Sequence, residues 1–173
     1  YVISPDGKEL STILANNTFG SATGFGTIGV GAFGPGTFGG NGAVQSFVRI
    51  RDMGILAPGD GGVGSLACAG NVWFESGGTF AVELAGSGGV PGVDHDQLSA
   101  AVALIDPNSM LDISYVGGFT ASAGDSFVIL NTSLTSDEFP IVNFPDGHDW
   151  TVTYDDGDII LTDACNNPGH YGG

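Results

Sequence analysis

The chain has 173 residues, enough for one domain with a sizeable core, and 42% of them are hydrophobic, which excludes an acidic disordered tail. Acidic residues outnumber basic ones by 19 to 3 and the net charge is −16, so nucleic acid and anionic membrane are excluded as partners, because phosphate binding needs cations. The 31 glycines follow no collagen period and work against long helices, so a fold of short strands and tight turns is expected.

Residues 1–18 read as an N-terminal arm. Pro5-Asp6-Gly7 is a turn signal, flanked by strand candidates at Tyr1–Ile3 and Leu10–Leu14. Residues 19–42 are dense in glycine, and Thr18-Phe19-Gly20 recurs as Thr37-Phe38-Gly39. Phe25, Phe33 and Phe38 sit among those glycines. One large apolar residue per Gly-bounded strand is the pattern of a solenoid coil, with the aromatic inward and Gly at the corner. A flexible Gly-rich linker is the competing reading.

Residues 44–50 alternate and read as a strand. Residues 54–66 carry Pro58-Gly59 and Gly61-Gly62 and read as a loop between coils. Further strands are expected at 71–75, 79–85, 97–105, 109–115, 126–131, 139–144, 150–154 and 158–162. Asp155-Asp156-Gly157, between the last two, is a hairpin signature. The polar stretch 166–173 reads as a flexible tail.

Several phrases stand in an ordered series: GTFGGNGAV (36–44), GILAPGDGGVGSL (54–66), GNVWFESGGTFAVELAG (70–86), VDHDQL (93–98) and LDISYVGGFTASAGDSFVIL (111–130). The series resembles the C-terminal portion of bacterial surface and secreted proteins with autotransporter-associated β-strand repeats, over most of the chain. That family is structural and adhesive, so the resemblance implies building or sticking rather than catalysis. It also favours strand over helix for the alanine-rich 97–105. The expected architecture is all-β: Gly-rich β-solenoid coils over 19–66, continuing into a capping β-sandwich or antiparallel extension over 67–165.

Chemistry-bearing motifs are few. Gly24-Phe25-Gly26-Thr27-Ile28-Gly29 matches a dinucleotide fingerprint in letters only, since no helix can follow in VGAFGPG. No G-x-S-x-G elbow or H-E-x-x-H occurs, and the three histidines have no nucleophile motif beside them. No enzyme activity is expected.

Asp94-His95-Asp96 would, on a strand, put both carboxylates on one face and the imidazole on the other. Those carboxylates, and the hairpin cluster Asp155, Asp156 and Asp158, are the candidate Ca²⁺ ligands; an exposed acidic turn is the plainer reading of each. Cys68 and Cys165 suit a disulfide in a secreted protein, worth about 4 kcal/mol by loop entropy. Two unpaired thiols, or pairing between subunits, remain open.

No apolar stretch is long enough to span a bilayer, and the chain begins at Tyr1 without a visible signal peptide. A processed product, secreted or held at the cell surface, is expected. Its expected work is self-assembly into a fibre or surface layer through β-strand edges. Tyr1, Val2, Ile3, Leu10, Ile13 and Leu14 supply the apolar positions of an arm that would add a strand to the next copy. The partner is then the chain itself, assisted by divalent cations or salt that screen its charge. The alternative is a monomeric adhesin module for surface glycans, with Trp73, Trp150, Tyr115 and Tyr154 as stacking rings, although these suit core and hairpin positions better.

Overall fold

The computed structural model describes residues 11–18, 20–21, 25–145 and 148–164, and these form sixteen strands with no helix. The expected all-β class therefore holds. The first strands are β1 (Ser11–Leu14), β2 (Thr27–Val30), β3 (Gly36–Gly40) and β4 (Ala43–Val44). Then come β5 (Phe47–Ile50), β6 (Gly54–Pro58), β7 (Ser65–Cys68), β8 (Val72–Phe74) and β9 (Thr79–Leu84). The next group is β10 (Gln97–Ala100), β11 (Ala103–Ile105), β12 (Met110–Tyr115) and β13 (Ser126–Asn131). The last are β14 (Ile141–Asn143), β15 (Asp149–Asp155) and β16 (Asp158–Ala164).

Three sheets result. Sheet I has the order β1-β3-β6-β9-β12-β14, sheet II β2-β5-β8-β11, and sheet III β4-β7-β10-β13-β16-β15. From β2 to β13 the chain visits them in the unvarying order II, I, III, four circuits in succession. Every ladder among these strands is parallel. Among the described strands, antiparallel ladders form where β16 joins β13 and β15 joins β16, and isolated antiparallel bridges join Gly40 to Gly59 and Leu84 to His95.

The register stacks like on like. In sheet I one column runs Ile13, Phe38, Leu56, Phe80, Leu111, Val142. In sheet II Val48, Val72 and Ala103 align, and in sheet III Leu66, Leu98 and Leu130. The cause is strict alternation: along β9, Phe80, Val82 and Leu84 are buried while Thr79, Ala81 and Glu83 face out. Inward residues of all three sheets belong to one hydrophobic cluster. Full burial of one such side chain stabilises by about 1.5–3 kcal/mol.

The two ends of the stack differ. At the first end, β1, β2 and β4 are the outermost described strands of their sheets. At the other, sheet III is covered by the β15–β16 hairpin, and Thr135 bridges to Ala103 beyond β11. Phe139, from the segment after that bridge, packs on Phe74 and Phe80 inside.

Several local expectations are corrected. Gly54–Pro58, read as loop, is strand β6, because Leu56 belongs to the core column of sheet I. The 97–105 strand is two, broken at Ala101-Val102 where the chain passes from sheet III to sheet II. Likewise 44–50 divides into β4 and β5 around a buried Ser46. Phe38 points inward as expected, but Phe25 and Phe33 are 91% and 80% exposed. Both lie outside the strand alternation, Phe25 ahead of β2 and Phe33 in the bend after it.

Candidate functional site

The acidic phrase at 94–96 lies at the end of the loop that leaves β9 and returns as β10. It is not a strand with two carboxylates on one face. Asp94 sits in a turn, where its Oδ2 accepts the Val90 N–H at 2.9 Å. Asp96 is fully buried; its Oδ1 accepts the Gly64 N–H at 2.6 Å and its Oδ2 the Glu83 N–H at 2.9 Å. The two carboxylates thus have separate backbone partners. Burial pushes the Asp96 pKa up to about 7, the two amides pull it back, and the nearby Glu83 charge adds to the rise.

His95, also fully buried, fills a different need. Val128 and Leu130 flank a register shift in the β13–β16 ladder, at the place where sheet III changes from parallel to antiparallel. The Val128 carbonyl accepts from His95 Nε2 at 3.1 Å and from Gln97 Nε2 at 2.8 Å. That contact requires the hydrogen on Nε2. Nδ1 is buried without a hydrogen-bond partner, and the ring edge meets Phe127 at a centroid distance of 5.4 Å. Burial lowers the His95 pKa against the opposing pulls of its Val128 contact and the Asp94 charge, which favours the neutral ring.

The hairpin acids are held in a similar way. Asp156 and Gly157 have φ of 46° and 95°, the left-handed pair of a tight two-residue turn. Asp158 Oδ1 accepts from Asn131 Nδ2 at 3.0 Å and from the Thr132 N–H at 3.2 Å. The Thr132 and Thr135 hydroxyls both donate to the Gly157 carbonyl. The turn is docked onto the segment after β13, and Asp155 closes the β15–β16 ladder opposite Asp158. Among the described residues, no three His, Cys, Asp or Glu side chains converge as metal ligands.

Cys68 faces the core from β7, and burial pushes its thiol up to about 12. Its expected partner, Cys165, lies outside the described residues, as do Tyr1, Val2, Ile3 and Leu10 of the arm. Ile13 and Leu14 are described: they lie in β1, paired within the same chain to Phe38 and Gly39 of β3.

The four candidate stacking rings all have packing partners. Trp150 stacks on Phe144 at 5.6 Å, Tyr115 meets Phe119 edge-on, and the Tyr154 hydroxyl accepts the Phe139 N–H at 2.8 Å. Trp73 lies on the outer face of sheet II, stacked on Phe47, with the Arg49 guanidinium 4.7 Å from its ring centre. Its indole N–H donates to Asp106 Oδ1 at 2.9 Å, and both Arg49 and Arg51 approach Glu75. This patch holds both described cations. Only the register of β5 against β8 reveals it, since Arg49 and Trp73 are far apart in sequence.

Two further surfaces stand out. A shallow cavity of about 240 Å³ crosses the outer face of sheet I, with Ala57 and Ala81 among its apolar lining and Thr12, Thr37, Ser114 and Glu83 among its polar lining. The first circuit presents the outer edges of β1, β2 and β4, which pair with no other described strand. It also displays Phe25 and Phe33. No Asp, Glu, Lys or Arg occurs between Leu10 and Val48, so this circuit is uncharged in a chain of net charge −16.

No protein-family model matches the chain, and no curated protein matches it.

Proposed function

We propose that the chain is a non-enzymatic, secreted β-solenoid whose work is structural: it self-assembles through strand edges into an extracellular fibre or surface layer. The repeated II, I, III circuit with aligned core columns supports the solenoid reading. The antiparallel β15–β16 hairpin serves as its cap in this reading, in place of a separate sandwich.

The observation that carries the assembly proposal is the asymmetry of the ends. At one end the antiparallel hairpin extends sheet III and Thr135 bridges to Ala103, with β14 and β15 the outermost described strands of sheets I and III. The other presents the outer edges of β1 and β2, which pair with no other described strand, as a template for another chain, while the β4 edge is held by the Asn17 and Ser21 side chains. The absence of charge on that circuit lets two acidic chains approach there. The resemblance to structural and adhesive surface proteins agrees with this use.

Negative-stain electron microscopy of the purified chain, with Ca²⁺ and with a chelator, tests the proposal. Ordered assemblies are expected. Their dissolution on chelation would assign the acidic turns a bridging role, and monodisperse monomers at every concentration would defeat the proposal. A second reading, a monomeric glycan-binding adhesin, is favoured by the Phe47–Trp73–Arg49 patch. Quenching of tryptophan fluorescence by oligosaccharides, lost in Trp73→Ala, would establish it.

A further inference from the structure

We infer that the cavity on the outer face of sheet I is a binding site for one uncharged sugar unit of an extracellular polysaccharide. This goes beyond the assembly reading, because it uses a sheet face and not the ends of the stack. It also lies on a different sheet from the Trp73 patch. Three observations carry it.

The first is shape. Register places Thr12 and Thr37 one outward step before Ala57 and Ala81, and Glu83 and Ser114 one outward step after them. The two pairs form walls, and the alanine methyls form a floor whose depth larger side chains would fill. The turn after β6 completes the rim, held by Asn16, whose Nδ2 donates to Asp60 Oδ2 at 2.9 Å. At about 240 Å³ the cavity falls below the roughly 300–1,000 Å³ of sites for drug-sized ligands, which suits one ring and not a longer segment.

The second is unspent hydrogen bonding. On the other sheets outward polar side chains satisfy one another: Arg49 with Glu75 and Trp73 with Asp106 on sheet II, Ser126 with Thr162 on sheet III. The side chains of Thr12, Thr37, Ser114 and Glu83 hydrogen-bond no other described residue. Hydroxyls both donate and accept, and the carboxylate accepts. A ring of hydroxyl groups with a face of C–H bonds meets both this rim and the methyl floor.

The third is charge, which selects among such ligands. No Lys or Arg lines the cavity, whereas Asp60, Glu83 and the buried Asp96 do. An anionic sugar would be repelled by these carboxylates and by a chain of −16. Asp96 holds the Gly64 and Glu83 amides with its two oxygens, so it shapes the cavity and leaves contact with the ligand to Glu83. A metal ion lacks its donor set, since no three His, Cys, Asp or Glu side chains converge among the described residues.

Saturation-transfer difference NMR on the full chain is the test, with glucose, N-acetylglucosamine, glucuronate and ethylammonium as probes. At least one neutral sugar is expected to receive saturation, with a Kd on the order of 1 mM, and glucuronate to bind about tenfold more weakly or less. Ala81→Phe, at an outward strand position, should fill the floor, keep the circular dichroism of the parent and weaken binding by about tenfold or more. Glu83→Gln keeps the backbone N–H that Asp96 holds and should weaken binding by about threefold or more.

No transfer to either neutral sugar at about ten times that Kd would overturn the inference. Ethylammonium binding as tightly as the sugars would overturn it in favour of a site for cations. Sugar binding that neither variant changes would overturn it by placing the site on another surface. A chain that assembles without binding sugar defeats this inference alone, and one that binds sugar as a permanent monomer defeats assembly alone.

Discussion

Asp96 and His95 are neighbours in sequence, equally buried, and respond to protons with opposite sign. Asp96 has a folded pKa raised from 3.8 to about 7. The folded chain therefore takes up this proton before the unfolded chain does, and the contribution of Asp96 to stability grows as pH falls from 7 towards 4. The folded pKa of His95 is lowered from 6.5, so its contribution is intact above that value and is lost as pH falls through the folded pKa. His95→Gln keeps an N–H for the Val128 carbonyl and removes the titration. It should match the parent at pH 8 and resist acid better; urea midpoints at pH 8 and 4.5 provide the comparison. In Asp96→Asn an NH₂ group must face one of the two backbone N–H donors, at a cost of about 2 kcal/mol in urea unfolding at pH 8. Neither role was legible in the sequence. The Asp96 clamp depends on amides 32 and 13 residues away, and the His95 contact on a carbonyl 33 residues away.

Strands and turns were legible where local chemistry decides them. Asp155-Asp156-Gly157 forms the expected hairpin turn, and 126–131 is strand β13 as read. β6 was hidden because its Pro58 and the glycines after it carry loop signals, while only the register with Phe38 and Phe80 shows Leu56 to be core. Phe25 and Phe33 escaped for the converse reason: they look like the Phe38 of a coil, but no strand turns them inward. The hairpin also supplies a test at this scale. Gly157 has φ 95°, and a Cβ there would press on the backbone of Thr132, Ser133 and Leu134. Gly157→Ala should lower stability by more than about 1 kcal/mol. Hydrogen exchange should speed up first in β15 and β16; uniform exchange across the sheets would show that the cap does not open separately.

Across the whole molecule, charge and shape oppose one another. The uncharged first circuit invites contact, and the acidic remainder repels it at long range. Raising ionic strength from 0.01 to 0.15 M shortens the screening length from about 30 to 8 Å. Self-association in sedimentation should strengthen with it, and a salt-independent constant would argue against electrostatic opposition. The circuits are also unequal in length: the step from Val48 to Val72 is shorter than that from Val72 to Ala103. Identical circuits could trade places, one chain lending a turn to another or slipping by a whole turn during folding. Here a circuit fits only its own level, because its corners have the wrong length for any other. The irregularity acts as an address on each turn, steering the nascent chain away from tangled, exchanged forms.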